Sequence, residues 1–457
     1  MSRSLLYTFA AILAIKAAVL IADSRPAYFE GDSQAYLATA TAKYIPPDRS
    51  FMYGLFLRRI AYGTRSLNTM VWTQVLFSAI AAWLLAFALE NVFSVRPWLA
   101  AAFGILCSIE PLQLLSERYV LTECCANFLF ALYFVLALLY LKKEKLWILA
   151  AAQVVGVLLV GFRISFLPGV LTGTLLLPLL SSIRTRRIAQ AGLHLCLSLL
   201  LILGLFSIYE HWYGRLIRRE PALFYQNGAF LVAAFSPLIE PEDFPIVSSR
   251  GPIFQNLQFD RHDLAQRPAQ HFVEGGLWRN IQLAVPDEKQ ANDAATAAAI
   301  HAALRQPVRA GLLALETLGQ YFNAAELRNR ILTDEGKYDY QSTLMKGWLE
   351  NVYGVRDAQP FEPSLTKRWH QLAFPWYWLI LCALSLSPLM LLAFQRADWP
   401  PVILTVVFAL LFLSGATLIV DRVTPRFLTS AAWLVLLMLG ELGAHPAQAK
   451  IMRDSSI

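Results

Sequence analysis

Charge is what this chain has least of. Asp, Glu, Lys and Arg together make up 16% of its 457 residues, against about 25% in an ordinary soluble domain. Hydrophobic residues reach 57%. That balance excludes a single soluble globular domain. The net charge of +7 sits mostly in short loops on one side of the apolar runs, so it does not point to nucleic acid, and no nucleic-acid partner is expected. Cysteine is scarce too. Cys107, Cys124, Cys125, Cys196 and Cys382 all fall in or beside hydrophobic runs. None shows metal-ligand spacing or a disulfide framework, and they read as small buried hydrophobes. No Asn-x-Ser/Thr sequon occurs, which fits a bacterial chain. There is no nucleotide-binding motif. There is no internal repeat, which weighs against the repeat-built transporters.

What the chain does have is apolar runs near ~20 residues, the length that crosses a bilayer. About ten can be drawn on that criterion: Leu5–Ala22, Met70–Leu89, Pro97–Ser108, Val120–Leu141, Leu146–Gly161, Ile164–Leu180, Ala191–Tyr209, Phe374–Phe394, Trp399–Val420 and Phe427–Leu442. The third is short and is expected to extend past Pro111. The fold class is therefore all-α, a polytopic membrane protein. The residues before Asp23 make a poor cleavage site, so the first run reads as a retained signal anchor. Lys142, Lys143 and Lys145, then Arg184, Arg186 and Arg187, together with Arg3, Arg96, Arg396, Lys450 and Arg453, collect on one side. The positive-inside rule puts that side, and both termini, in the cytoplasm of a bacterial inner membrane.

Three blocks follow. Residues 1–209 hold seven spans and a first outer loop, 23–68. Residues 210–369 form a periplasmic cap of mixed, mainly helical character between the seventh and eighth spans. Residues 370–457 form a three-helix bundle. The cap opens with Pro221, Pro237, Pro241, Pro245 and Pro252. An Ala-rich helix follows over Asp293–Leu304, then a second with Pro307 at its first position. Val308, Leu312, Leu315, Leu318 and Phe322 repeat at helical spacing there, as a stripe for the segment's own core or for the membrane surface.

Chemistry collects where the spans meet the outer side. Glu30-Gly31-Asp32-Ser33 follows the first span. Its carboxylates either solvate the loop and cap a helix through Tyr36 to Lys43, or serve as a general base or as oxygen ligands to a divalent cation. Next comes an aromatic, Pro- and Arg-rich stretch containing Pro46, Pro47, Phe51, Tyr53, Arg58 and Arg59. Phe51–Tyr62 reads as an amphipathic helix in the interface plane, flanking a lipid headgroup site. Glu110, Glu117 and Glu123 crowd the ends of two spans. Carboxylates at that depth normally have partners, and for Glu123 an ion pair with Arg118 or Arg163 is one reading. Lys16, Arg163, Arg422 and Arg426 lie near the same face. They either snorkel to headgroups or converge on a phosphate, which arginine binds through paired hydrogen bonds.

In order and spacing these segments resemble the GT-C superfamily of integral-membrane glycosyltransferases, such as aminoarabinose transferases and protein O-mannosyltransferases. The matching pieces are Gly31-Asp32-Ser33 with Tyr36 after the first span, Pro46 to Tyr62, Pro111 followed by Leu121-Thr122-Glu123, Arg163 before Pro168, Gln306-Pro307 to Tyr321-Phe322, and Arg422 to Arg426 before the last span. The match covers the first half well and the last third thinly. It implies a GT-C-type architecture and transfer of a sugar from a polyprenyl phosphate to an envelope glycan, lipid or protein at the outer face. It further implies that Asp32 is the base, with Glu30 beside it. Arg163, Arg422 and Arg426 would hold the leaving phosphate, and Glu123 would orient an arginine or contact the sugar. Two departures stand out. Gly31 separates Glu30 from Asp32 where mannosyltransferases have adjacent acids, and Arg422-Val423 replaces an Arg-Tyr pair. Sugar, acceptor and any divalent cation stay open. An O-antigen polymerase or ligase shares the large outer loop but not the acidic motif. A lipid or solute transporter would need ionisable residues through the full bilayer depth.

Overall fold

A computed structural model of the chain describes residues 2–29, 31–337, 341–356, 362–394 and 399–454. Among the described residues there is no strand; extended backbone pairs in one isolated bridge, Ala27 with Tyr119. The first helices are α1 (Arg3–Ala22), α2 (Asp32–Ala42), α3 (Phe51–Leu57), α4 (Leu67–Asn91), α5 (Pro97–Ser108), α6 (Pro111–Ser116), α7 (Glu123–Lys143), α8 (Leu146–Phe162), α9 (Leu167–Thr185) and α10 (Ile188–Ile217). There follow α11 (Asn227–Phe235), α12 (Arg250–Gln255), α13 (Ala269–Phe272), α14 (Leu277–Ala284), α15 (Glu288–Arg305), α16 (Pro307–Phe322) and α17 (Ala324–Asp334). The last are α18 (Thr343–Tyr353), α19 (Leu365–Leu372), α20 (Pro375–Phe394), α21 (Trp399–Thr417) and α22 (Thr429–Asp454).

Among the described residues, eight helices are long and apolar enough to cross a membrane, and α5 and α8 are shorter apolar helices of 12 and 17 residues. Every apolar run drawn from the sequence is thus a helix. One boundary is corrected. α5 stops at Ser108, and Pro111 opens a separate helix, α6, at its first position. A proline has no N–H to continue a helix, and it drives the residue before it out of helical geometry; Glu110 sits at φ −59°, ψ 131°.

Burial along the spans sorts centre from rim. The apolar window of α7 is 78% buried and that leading into α22 is 72% buried, against 28% for α10 and 22% for α1. The rim helices expose large aliphatic side chains, including Leu200, Leu203 and Ile208. Such a surface is stable against hydrocarbon rather than water. The chain has the architecture of a multi-pass membrane protein. Cys107, Cys124 and Cys125 are buried as expected, whereas Cys196 and Cys382 are exposed on the spans α10 and α20, which corrects their reading as core.

The chain divides into two compact units. One comprises Met1–Pro221, Ile331–Phe412 and Arg426–Ile457; the other comprises Ala222–Arg330 and Leu413–Pro425. The second unit is built on α11, α14, α15 and α16 around Trp278, Ile281, Ala295, Ala299 and Leu313. Its α15 and α16 meet the Ala-rich and Pro-led expectations. The stripe Val308, Leu312, Leu315 and Phe322 is exposed, and α16 buries Ala310, Leu313, Thr317 and Tyr321 instead. The stripe therefore does not serve the segment's own core.

In the first unit a buried polar network fixes the stretch between α6 and α7. Lys16 and Arg118 both bond Glu117, and Ser78 Oγ donates to the same carboxylate. Gln74 Nε2 donates to the carbonyls of Glu117 and Tyr119, each at 3.0 Å, and Tyr53 donates to Gln74 Oε1 at 3.0 Å. A lysine at membrane depth is tolerated when its charge is paired. Lys16, 1% exposed, is thus consumed by Glu117, which corrects its assignment to a phosphate site. The first loop is stitched to this stretch. Ala27 N–H donates to Arg118 O, Val120 N–H to Ala27 O, and Ser33 Oγ to Val120 O, at 2.8, 3.0 and 3.0 Å.

The helix expected over Phe51–Tyr62 exists as α3 continued by a π-helical turn, Arg58–Tyr62. Phe51, Tyr53, Leu57 and Ala61 are buried in the protein rather than turned to an interface. Gly54 lets α3 close on α2: a Cβ there would lie 2.4 Å from Thr39 Cβ. Gly54→Ala should therefore destabilise the protein by about 1–3 kcal/mol, the usual cost of overpacking. Gly63→Ala, where a Cβ meets nothing closer than Arg58 O at 3.9 Å, should be tolerated. Melting temperatures of the two purified variants check the pair, and equal losses would contradict it.

Candidate functional site

Gly31 begins the site. Its φ of +68° lies in the left-handed region that glycine adopts without penalty, and the chain turns there straight into α2. Asp32 is the first residue of α2, where a negative charge is favoured by the helix dipole. The N-cap itself is Gly31, which has no side chain to cap the helix. Arg49 Nη2 meets Oδ1 at 2.6 Å, and Arg426 Nη1 meets Oδ2 at 2.8 Å. Arg49 comes from the loop between α2 and α3, just before Ser50, the N-cap of α3. Its backbone carbonyl accepts from Tyr213 at 3.2 Å, which anchors that loop. Arg426 lies in the short 3₁₀ turn leading into α22.

Each arginine bridges to another carboxylate. Arg49 Nη1 lies 2.9 Å from Asp48 Oδ2. Arg426 Nη1 lies 3.6 Å from Glu123 Oε1, and its Nε lies 4.0 Å from Asp334 Oδ1. Arg163, the C-cap of α8, closes the cluster with Nη1 2.7 Å from Glu123 Oε1. Aromatic rings complete the walls. Arg426 lies 4.0 Å over Phe29 and 5.5 Å over Phe427, and Arg163 lies 4.7 Å over Phe427. Tyr36, one turn along α2 from Asp32, is buried edge-on against Tyr53 at 4.9 Å.

The electrostatics follow from this mixture. Burial works against the Asp32 charge, but Arg49, Arg426 and Arg163 outweigh it and hold the carboxyl down at about 2. Asp334 has weaker help. Burial pushes its carboxyl up to about 6 against the pull of Arg426 and His370. The backbone N–H of Arg426 donates to Asp334 Oδ2 at 3.3 Å. Next to it, Glu335 accepts from Gln371 and pairs with His370 Nδ1 at 2.8 Å, fixing the end of α17 against α19.

Of the residues singled out in the sequence, Asp32, Glu123, Arg163 and Arg426 come together, with Tyr36 beside them. Glu123 takes Arg163 as its partner; Arg118 goes to Glu117. Arg58 donates to Ala40 O at 2.9 Å and covers Tyr62, and Arg59 is exposed, so neither belongs to this cluster. Arg422 lies in the second unit, bonded to Asp421. Glu30 lies outside the described residues. The sequence reading missed Arg49 and Asp334. Arg49 stood within the Pro46–Tyr62 stretch, and the Asp48-Arg49 pair after two prolines was the available signal. For Asp334 the one hint was the acidic pair Asp334-Glu335 at the end of a helix that also carries Arg328 and Arg330.

A divalent cation needs several hard oxygen donors. Both Asp32 oxygens face guanidinium groups, and no group of three or more His, Cys, Asp or Glu suited to a metal occurs among the described residues. The described donor set does not fit a cation at Asp32. No protein-family model matches the sequence, and no curated protein matches it.

The raised Asp334 carboxyl has a thermodynamic sign. Its pKa is higher folded than unfolded, so its contribution favours the folded state below about 4 and is lost as pH rises through about 6. Asp334→Asn should flatten the pH dependence of the melting temperature across that window. Identical wild-type and variant profiles would mean that the carboxyl titrates normally.

Proposed function

We propose that this chain is a GT-C-type glycosyltransferase that moves a sugar from a polyprenyl phosphate to an acceptor hydroxyl, with Asp32 as general base. The observation that carries the reading is the Asp32 carboxylate held between Arg49 and Arg426, beside the Arg163–Glu123 pair. A base and several phosphate-binding cations within one cluster is what such a transfer requires. In the reaction the acceptor hydroxyl gives its proton to an Asp32 oxygen. Its oxygen bonds to the anomeric carbon of the sugar as the anomeric carbon–oxygen bond to phosphate breaks. The bonding pair leaves on the phosphate oxygen, releasing polyprenyl phosphate, with inversion at the anomeric carbon. Arg49, Arg426 and Arg163 balance the charge that develops on that oxygen. Glu123 keeps Arg163 in place. No step passes through a metal.

The site is assigned to the outer face of a bacterial inner membrane, with both termini cytoplasmic. Arg96, Lys142, Lys143 and Lys145 are exposed at span ends, with exposed Trp98 and Trp147 beside them. Such a basic and aromatic girdle supports a cytoplasmic boundary there.

Two measurements test the reading. Asp32→Asn should reduce transfer by about 10²–10⁴-fold, the typical effect of losing a general base. Mass spectrometry of lipids co-purifying with wild type and this variant should find a polyprenyl phosphate or its sugar adduct, enriched over bulk lipid. Near-normal turnover would remove Asp32 from the chemistry, and ordinary phospholipid alone would favour a transporter. For orientation, Asn256→Cys places a thiol at an exposed position of the second unit. An impermeant maleimide should label it in intact cells, and labelling only after permeabilisation would overturn the topology.

A further inference from the structure

Asp32 is a weak base as it stands. Each of its oxygens already pairs with an arginine, at 2.6 and 2.8 Å, and those charges suppress its proton affinity. Yet both arginines have donors to spare: the Nε atoms of Arg49 and Arg426 are buried and make no hydrogen bond. Buried guanidinium nitrogens without acceptors are costly. Orphaned guanidinium nitrogens also occur at Arg118, Arg261 and Arg267; what sets these two apart is that both flank one carboxylate, in a partly exposed cluster that an oxyanion can reach.

The charge balance says how that oxyanion enters. Arg49, Arg163 and Arg426 face Asp32, Asp48, Glu123 and Asp334. The cluster is already neutralised, so a phosphate cannot simply add to it. The spare donors offer hydrogen bonds but no spare positive charge, so the phosphate has to draw guanidinium charge away from a carboxylate. Asp48 pairs with Arg49, and Glu123 and Asp334 lie against Arg426. Among the described residues, Asp32 is the carboxylate that both arginines share. A phosphate that engages both must therefore compete with Asp32.

We propose that Arg49 and Arg426 form an exchangeable lock, in which the phosphate of the ligand displaces Asp32 from both guanidinium groups and so frees the base. Arg49 is thereby assigned as a phosphate-binding residue, and the phosphate-bearing substrate must bind before the hydroxyl-bearing one can react. What the freed Asp32 then does rests on the transferase reading; the exchange itself is a binding event. With the arginines turned to phosphate, burial and the new negative charge both make Asp32 more basic. The base is strong only when a donor is in place.

The test is binding of farnesyl phosphate to the full-length protein in lipid nanodiscs, with farnesol and inorganic phosphate as comparison ligands. Because Asp32 competes for the arginines, Asp32→Asn should bind farnesyl phosphate about tenfold more tightly than wild type, a coupling of ordinary size. Arg49→Ala should bind it at least about tenfold more weakly, and Arg49→Lys, which keeps the charge and guards against misfolding, should fall between. Unchanged or weaker binding by Asp32→Asn, at an unaltered melting temperature in the presence of ligand, would overturn the lock and leave the phosphate site standing. Equal binding of farnesyl phosphate and farnesol by wild type and Asp32→Asn would overturn lock and transferase reading together. Tighter binding of inorganic phosphate by Asp32→Asn, matching that of farnesyl phosphate, would support the exchange and assign the site to free phosphate rather than a lipid.

Discussion

The ion pair between Asp32 and Arg426 joins positions 394 apart in the chain, and the first unit is organised so that this pair can form. Asp32 is presented by a short helix that does not cross the membrane, and Arg426 by the turn before the last span. Neither helix packs the other into place. The stretch between α6 and α7 does it instead, holding the first loop by backbone bonds at Ala27 and Val120 and by Ser33. That stretch is itself held by the Lys16–Glu117–Arg118 network below it. The order of dependence thus runs from a buried charge network, through an immobilised loop, to a carboxylate between two arginines.

Both charge clusters obey the same physics but end in different states. In a low-dielectric interior an unpaired charge is costly, so charges are kept where they have partners. At Lys16 and Glu117 the side chains are 1% and 0% exposed, and the carboxylate is shared among a lysine, an arginine and a serine. Nothing can reach it, and its role is to hold structure. At Asp32, Arg49 and Arg426 the exposures are 16%, 19% and 17%, and guanidinium donors remain unused. Unpartnered guanidinium nitrogens occur in both, at Arg118 as at Arg49 and Arg426; partial access is what distinguishes a cluster open to a ligand from one sealed into the fold. Sequence position alone could not make that distinction, since Lys16 and Arg426 both read as cations near one face.

The helices were legible because apolar length is a strong, local signal, and each of the apolar runs became a helix. The boundary at Pro111 was legible in principle from proline chemistry and was overrun by reading for length. The site was legible in part. Asp32 and Glu123 stood out because carboxylates are rare beside spans in a chain this apolar. Arg163 and Arg426 stood out for the same reason. Arg49 did not, because it shares its stretch with Arg58 and Arg59, and which of three arginines turns inward depends on how α3 packs. That packing is set by Gly54 against Thr39 and by Phe51 among Tyr209, Trp212 and Tyr213, contacts between segments far apart in sequence. Asp334 was hidden for a related reason: it enters the first unit at the end of a helix that begins in the second.

A carboxylate between two arginines solves a problem that any buried anion site faces when empty. Three guanidinium groups gathered to bind phosphate would repel one another in the free protein, and desolvation would add to the cost. Asp32 acts as the resident counter-ion, so the site stays assembled without ligand. Under the proposed transfer, the cost is that the same group is a poor base until it is released, because the arginines that stabilise its charge also suppress its proton affinity. Ligand and base then compete for one pair of cations. In the proposed exchange, the phosphate that binds best is the one that draws both arginines away, so binding energy would be spent on uncovering the reactive group rather than on deepening the ground state. Resting stability and ordered chemistry then follow from the same two hydrogen-bonded pairs.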